Sequence, residues 1–176
     1  MAGLTTIDAF RYNLKSIVRP NRFLVNVFPP TSLTEEISTE DLKFYATSAT
    51  IPDRAFNEIE LKYYGMTYKM PAAEIIQDLV INFIYDEDWE VRQLFEDWAQ
   101  LVNNRNDAKK GYLKDLYNEC HIDVNQLDLQ GNIIQTYIFK YCYPKHVDQT
   151  ELNQETPDTI ATFQVTFGYS YWTTNE

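Results

Sequence analysis

The sequence predicts a mainly β protein: two packed antiparallel sheets, a sandwich or partial barrel, with one α-helix flanking them. Three observations carry this reading. Several segments alternate apolar and polar residues with the two-residue period of a half-buried strand. The clearest is Ile160 to Trp172, where Ala161, Phe163, Val165, Phe167, Tyr169 and Tyr171 alternate with Thr162, Gln164, Thr166, Gly168 and Ser170. Only one long segment carries a helical period instead, and such a helix needs a sheet to cover. The composition agrees: 13 Tyr and 10 Phe against only 5 Gly among 176 residues suit pleated, half-buried surfaces.

Taken in order, residues 1–18 have no strong pattern and read as an N-terminal arm, with residues 19–176 as a single domain. Arg22 to Phe28 is a strand with Phe23, Val25 and Val27 on one face, stopped by Pro29-Pro30. Thr31 to Asp41 is an acidic loop. Lys43 to Thr50 is a second strand ending at Ile51-Pro52. Glu58 to Tyr64 alternates, with Ile59, Leu61 and Tyr63 opposite Glu58, Glu60 and Lys62; Gly65 breaks or bulges it, and Tyr68 to Ala73 continues it. Ile76 to Tyr85 is a stronger strand, with Leu79, Ile81, Phe83 and Tyr85 on one face. Val80 and Ile84 make its other face partly apolar, more than a lone sandwich with one wet face requires. The helix follows: Asp86 is its N-cap, Glu87 and Asp88 favour its positive end, and Val91, Leu94, Phe95, Trp98, Leu101 and Val102 form its stripe until Asn103-Asn104. Trp89 lies off that stripe, as a cap against the sheet or as an interface anchor. Residues 103–118 are a charged loop. His121 to Leu129 and Ile133 to Tyr143 form a hairpin about Gln130-Gly131-Asn132. Thr150 to Asp158 is a polar loop before the last strand. The count is about seven strands and one main helix.

The chemistry-bearing patterns are few. A net charge of −11 disfavours gripping nucleic acid or an anionic membrane. No run of about 18 apolar residues reads as a membrane segment, and no signal-peptide core opens the chain. No phosphate-binding glycine loop, nucleophile elbow or paired-histidine metal motif is present. Cys120, His121, Cys142 and His146 do not make a zinc set, because Cys120 and His121 are strand neighbours and point to opposite faces. A hairpin turning about Gly131 sets Cys120 opposite Cys142, near disulfide reach; a one-residue shift removes that, and in a reducing cytoplasm they are two buried thiols. Asp86, Glu87 and Asp88 are explained by the helix start rather than by catalysis. The reading is a protein without enzymatic activity and without cofactors.

Four stretches together resemble a known family. These are Arg19-Pro20-Asn21-Arg22-Phe23; Ala46 to Pro52; Leu79 to Asp97, with Tyr85-Asp86-Glu87-Asp88 and then Arg92, Phe95 and Trp98; and a final set. That set runs from Ile122-Asp123 through Gln126-Leu127-Asp128, Gly131-Asn132, Tyr141-Cys142-Tyr143-Pro144 and Thr162 to Phe167, ending at Tyr169 and Trp172. In order and spacing the chain resembles the tail tube proteins of contractile-tailed bacteriophages, to which the tube of type VI secretion systems is similar.

The resemblance implies a structural virion protein in the phage tail-tube fold. It implies hexameric rings whose strands join into one barrel, stacked into a tube inside a contractile sheath, with DNA only passing through. The implied partners are further copies of the chain, the sheath protein, and baseplate and tail terminator proteins, with assembly in the host cytoplasm. A related baseplate or tube-initiator ring protein, a type VI secretion-like tube subunit and a monomeric β-sandwich binding module are the alternatives. Thr162, Gln164, Thr166 and Ser170, with Glu58 and Glu60, are the candidate channel lining. Phe10, Tyr12, Asn57, Tyr63, Tyr64, Tyr68 and Trp89 are the candidate ring and stacking contacts, the family placing such contacts on the arm and on the connection from Asn57 to Ala73.

Overall fold

The computed structural model describes residue 7 and residues 17–33, 41–103, 120–150 and 159–175. Phe10 and Tyr12, and most of the three polar loops, lie outside that set. Ten strands are described: β1 (Phe23–Phe28), β2 (Ala46–Thr50), β3 (Ala55–Tyr63), β4 (Met66–Ile75), β5 (Leu79–Ile84), β6 (His121–Leu127), β7 (Ile133–Lys140), β8 (Tyr143–Val147), β9 (Thr162–Gly168) and β10 (Tyr171–Asn175). Two helices accompany them, α1 (Leu42–Tyr45) and α2 (Glu90–Val102), with a 3-10 turn at Thr31–Leu33.

The strands make two four-stranded sheets and a separate hairpin. The first sheet runs β1-β6-β7-β10, the second β2-β5-β9-β8, and β3 pairs only with β4. All these pairings are antiparallel. The alternation read in the sequence decides which side faces inward. Val25, Val27, Ile122, Val124 and Phe139 of the first sheet join Leu79, Ile81, Phe83, Phe163, Val165 and Phe167 of the second in one buried cluster. Helix α2 adds Val91, Leu94, Phe95 and Trp98 to the same cluster. Phe95 stands 4.8 Å from the Phe83 ring and 5.7 Å from Phe167, and Trp98 stands 6.1 Å from Phe167. Each such side chain contributes about 1.5–3 kcal/mol on leaving water.

Several expected boundaries move, each for a physical reason. The strand expected over Lys43 to Thr50 begins as a single helical turn, α1, which buries Leu42, and only Ala46–Thr50 is extended. Ile76 to Asp78 precede β5 instead of belonging to it. Gly65 breaks the strand before it, as expected, and does so in a hairpin turn. Tyr64 (φ 48°) and Gly65 (φ 76°) are both left-handed, the two-residue turn that matches strand twist, and it sets Tyr63 opposite Met66. Helix α2 starts at Glu90 and spans 13 residues, shorter than the helix expected from Asp86, because Trp89 is left-handed (φ 61°). Asp86 still caps it: its carboxylate accepts the N–H groups of Glu90 (3.0 Å) and Val91 (3.4 Å). Glu87 and Asp88 lie in the preceding turn, outside the helix.

The largest difference concerns two segments expected to be continuous. The strand from Ile133 stops at Lys140, turns at left-handed Tyr141 (φ 58°), and resumes as β8 in the other sheet. The strand from Ile160 divides at Tyr169-Ser170 into β9 and β10, again in different sheets. The two crossings run side by side: Lys140 pairs with Tyr171, Tyr143 with Gly168, and Ser170 N–H donates to Lys140 O at 3.1 Å. The result is one two-stranded ribbon bent from sheet to sheet. The Tyr143 ring lies against Gly168, where an added Cβ would come within 2.7 Å of it. After the crossing the inward set shifts by one residue. Tyr169 is buried, Tyr171 is 49% exposed, and Trp172 packs on the core; the expected inward place of Tyr171 is thereby corrected.

Candidate assembly surfaces

The described residues converge on no reaction centre. No group of three or more His, Cys, Asp or Glu is placed to hold a metal ion among them. Cys120 and Cys142 are both buried and are joined through the backbone, Cys142 N–H to Cys120 O at 3.2 Å; no disulfide links them. Burial pushes the Cys142 thiol up to about 12, so it stays protonated and unreactive. His121 stacks on Phe28 with ring centroids 4.2 Å apart, while His146 is exposed on β8, 3.6 Å from Asp148.

The first surface is the outer face of the second sheet. Thr162, Gln164 and Thr166 alternate with the buried Phe163, Val165 and Phe167, so they point away from the core, with Thr162 exposed and the other two half-buried. Across β5, Gln164 pairs with Asn82 and Thr166 with Val80. Asn82 donates through Nδ2 to Ser48 Oγ of β2 at 2.7 Å, and its carbonyl accepts from Thr47 Oγ1 at 3.1 Å. Val80 and Ile84 are half-buried on this side. Over β2, β5 and β9 the face carries hydroxyls, amides and short apolar groups, and no ionised side chain. The sheet ends in β2 on one side and β8 on the other. Ser170 is exposed at the corner beyond β9.

The second surface is the β3–β4 hairpin. Ile59 pairs with Met70, Leu61 with Tyr68 and Tyr63 with Met66, so these six share one face. Tyr63 is 75% exposed, Tyr64 at the tip 89% and Tyr68 65%. On the other face Lys69 reaches Glu58 (2.6 Å) and Glu60 (3.8 Å). Glu58 and Glu60 therefore sit on a different element from Thr162, Gln164 and Thr166, paired to a cation, and the fold does not bring the two sets together. Asn57 falls at the irregularity between Phe56 and Glu58, where the register shifts. A ten-residue strand extends about 30 Å, and a two-stranded ribbon with an open apolar face is marginal by itself.

Trp89 is the third feature. Its left-handed backbone turns it off the helix stripe, and its ring lies 4.9 Å from that of Tyr85 while 44% of it stays exposed. Behind it, Arg92 donates to Tyr85 Oη (2.5 Å) and to the Asp148 carbonyl (3.1 Å), and Tyr85 also meets Thr150, so helix, sheet and the end of β8 are tied together. Sequence reasoning missed this node, because its members are up to 65 positions apart.

The described residues thus form a β-sandwich with an outer face uncharged over β2, β5 and β9 and with a projecting amphipathic hairpin. The chain belongs to the phage tail tube protein family, whose family model matches residues 18–175. It is 21% identical over 169 residues to a tail tube protein of Serratia phage KSP90, covering 94% of this chain and 95% of that one. It is 21% identical over 155 residues to the tail tube protein gp19 of Enterobacteria phage T4, covering 88% and 90%. Among solved structures it is similar to a chain of the sheath-tube complex of an extracellular contractile injection system, PVC, in its extended state. There the TM-score is 0.62 at 16% identity, covering 97% of this chain and 98% of that one.

Proposed function

We propose that the chain is the repeating subunit of an inner tail tube: hexameric rings stack around a bore, inside a contractile sheath, and DNA passes through during ejection. The observation that carries this reading is the second sheet, which ends in β2 and β8 and whose outer face is uncharged over β2, β5 and β9. Sheet edges are templates for strand addition. Joining β8 of one copy to β2 of the next is a head-to-tail contact, and it makes a ring where the rotation closes. Thr162, Gln164 and Thr166 then line the bore. Each phosphate that a wall of Lys or Arg neutralises adds salt-dependent affinity, so a neutral polar wall lets DNA slide. The hairpin, with Asn57, Tyr63, Tyr64 and Tyr68, lays its apolar face on a copy in the next ring. The arm bearing Phe10 and Tyr12 joins that contact, and Trp89 anchors a neighbour. Sheath, baseplate and terminator proteins bind the outside and the ends, and assembly takes place in the host cytoplasm.

Sedimentation and electron microscopy of the purified protein, alone and with tail components, test the reading. Rings or tubes are expected. A strictly monomeric protein at high concentration under both conditions would leave the monomeric binding module as the better reading. Quantitative mass spectrometry of purified particles separates a repeating subunit from a base-of-tail ring protein: many copies support the first, a single ring's worth the second.

A further inference from the structure

The β3–β4 hairpin pairs with no other strand among the described residues, and it joins the body through two short links, residues 51–54 and 76–78. The hairpin can therefore tilt as a unit at its root, at these links and at the register irregularity between Phe56 and Glu58. Over an arm of about 30 Å, a tilt of about 10° at the root moves the tip by about 5 Å. Whatever fixes the root therefore fixes where Tyr63, Tyr64 and Tyr68 are presented.

One side chain bridges the root. Arg54, the last residue before β3, places its guanidinium carbon 4.6 Å over the Trp172 ring on β10. Its Nε lies 3.1 Å from Oε1 of Glu74, next to the end of β4. Trp172 is itself held against Tyr137 (5.9 Å) and Phe139 (6.4 Å), so the ring is part of the body. Asp53, Arg54, Glu74, Ile75, Tyr169 and Trp172 surround a small cavity of about 50 Å³ at this junction. Asp78, a further acid in the same link, is paired with Lys145 at 2.7 Å, and Glu74 is paired with Arg54. Arg54 thus touches the entering strand, the leaving strand and the first sheet at once.

We propose that Arg54 is a positioning residue, a latch between Trp172 and Glu74 that sets the angle at which the hairpin leaves the body. The cation holds the ring through its π-face and the carboxylate through a charged contact, and the two directions define one orientation. Its importance for assembly rests on the hairpin acting as a contact arm between copies; the latch itself does not.

Pulsed electron-electron resonance on the full chain tests it, with spin labels at Thr67→Cys near the tip and Thr173→Cys on β10. The native Cys120 and Cys142 are buried, so labelling falls on the new sites. Measured at a dilution that keeps protomers apart, the unsubstituted background should give a narrow distance distribution. Arg54→Ala should widen and shift it while the melting temperature stays within a few degrees. Arg54→Lys, which keeps a cation between Glu74 and Trp172, should recover part of the narrowing. Glu74→Gln, which leaves the ring contact in place, should widen the distribution less than Arg54→Ala and gives a second reading should that variant fold poorly. A distribution as narrow in Arg54→Ala as in the background overturns the latch, as does Glu74→Gln without any widening. Either result is read on single protomers, so it is separable from a failure to form tubes.

Discussion

At the residue scale, Asp123 is in tension with its surroundings. It sits in mid-β6 between Asn26 of β1 and Ile138 of β7, with Oδ1 buried and no hydrogen-bond partner. Burial raises its pKa, and the nearby His121 and Lys140 only partly offset this. A carboxyl whose folded pKa lies above its unfolded value favours folding while it is protonated, and that contribution is lost as pH rises through the folded pKa. Asp123→Asn should therefore raise the melting temperature at neutral pH, with the gain fading as pH falls from the raised folded pKa to the ordinary carboxylate value. Thermal melts across that range decide it; a gain of equal size in acid would assign the effect to packing. In the core, Phe95→Ala should cost about 3–5 kcal/mol in denaturant unfolding, because the ring touches Phe83, Phe163 and Phe167 together. Phe95 and its stripe were legible from spacing alone. Tyr64, Trp89 and Tyr141 were not: left-handed backbone is signalled by Gly, Asn or Asp, and an aromatic residue there gives no warning.

At the scale of elements, the legible features were those with a sustained period. The faces of β1, β5 and β9, the helix stripe and the turn about Gly131 all follow their patterns. The two crossings did not show, because the sequence keeps its apolar–polar alternation through the corner even though the inward set shifts there. The only trace is the inward set stepping from Tyr169 to Trp172, and Tyr171 hides that step by being aromatic. Gly168 marks the corner in retrospect. Gly168→Ala must push the Tyr143 ring aside and should cost about 1 kcal/mol, the low end for overpacking because a ring tip can move. A melt of that variant checks it. For the hairpin, Leu61→Asp combined with Tyr68→Ser should leave the protomer's melt nearly unchanged, since exposed sites away from special features fall within about 0.5 kcal/mol. Tube formation seen by electron microscopy should fail. Tubes of normal length in that variant would remove the hairpin from the stacking contact.

At the scale of the whole molecule, the sequence reading reached two packed sheets with a flanking helix, and it also reached the family. It did not reach the division into ten strands or the independence of β3–β4, because which strand joins which sheet is decided by partners far away in the chain. Charge acts at this scale too. With −11 per chain, neighbouring copies repel one another, and salt screens that repulsion over about 8 Å at physiological strength. Assembly followed by light scattering should therefore speed up from low to moderate salt; a slowing would point to ion pairs as the dominant contacts.

The ribbon that bends from one sheet into the other has a mechanical consequence. Because β7 runs on into β8 and β9 into β10, the two layers share continuous backbone as well as side-chain packing. A force that drags one layer across the other must stretch covalent chain and shear the paired ladder from Lys140–Tyr171 to Tyr143–Gly168 before the layers can slip. Sheets joined only through their cores yield when side chains slide past one another. Here the load crosses the corner along the strands, so the subunit behaves as a folded plate with a stiff crease and passes thrust from one wall to the other.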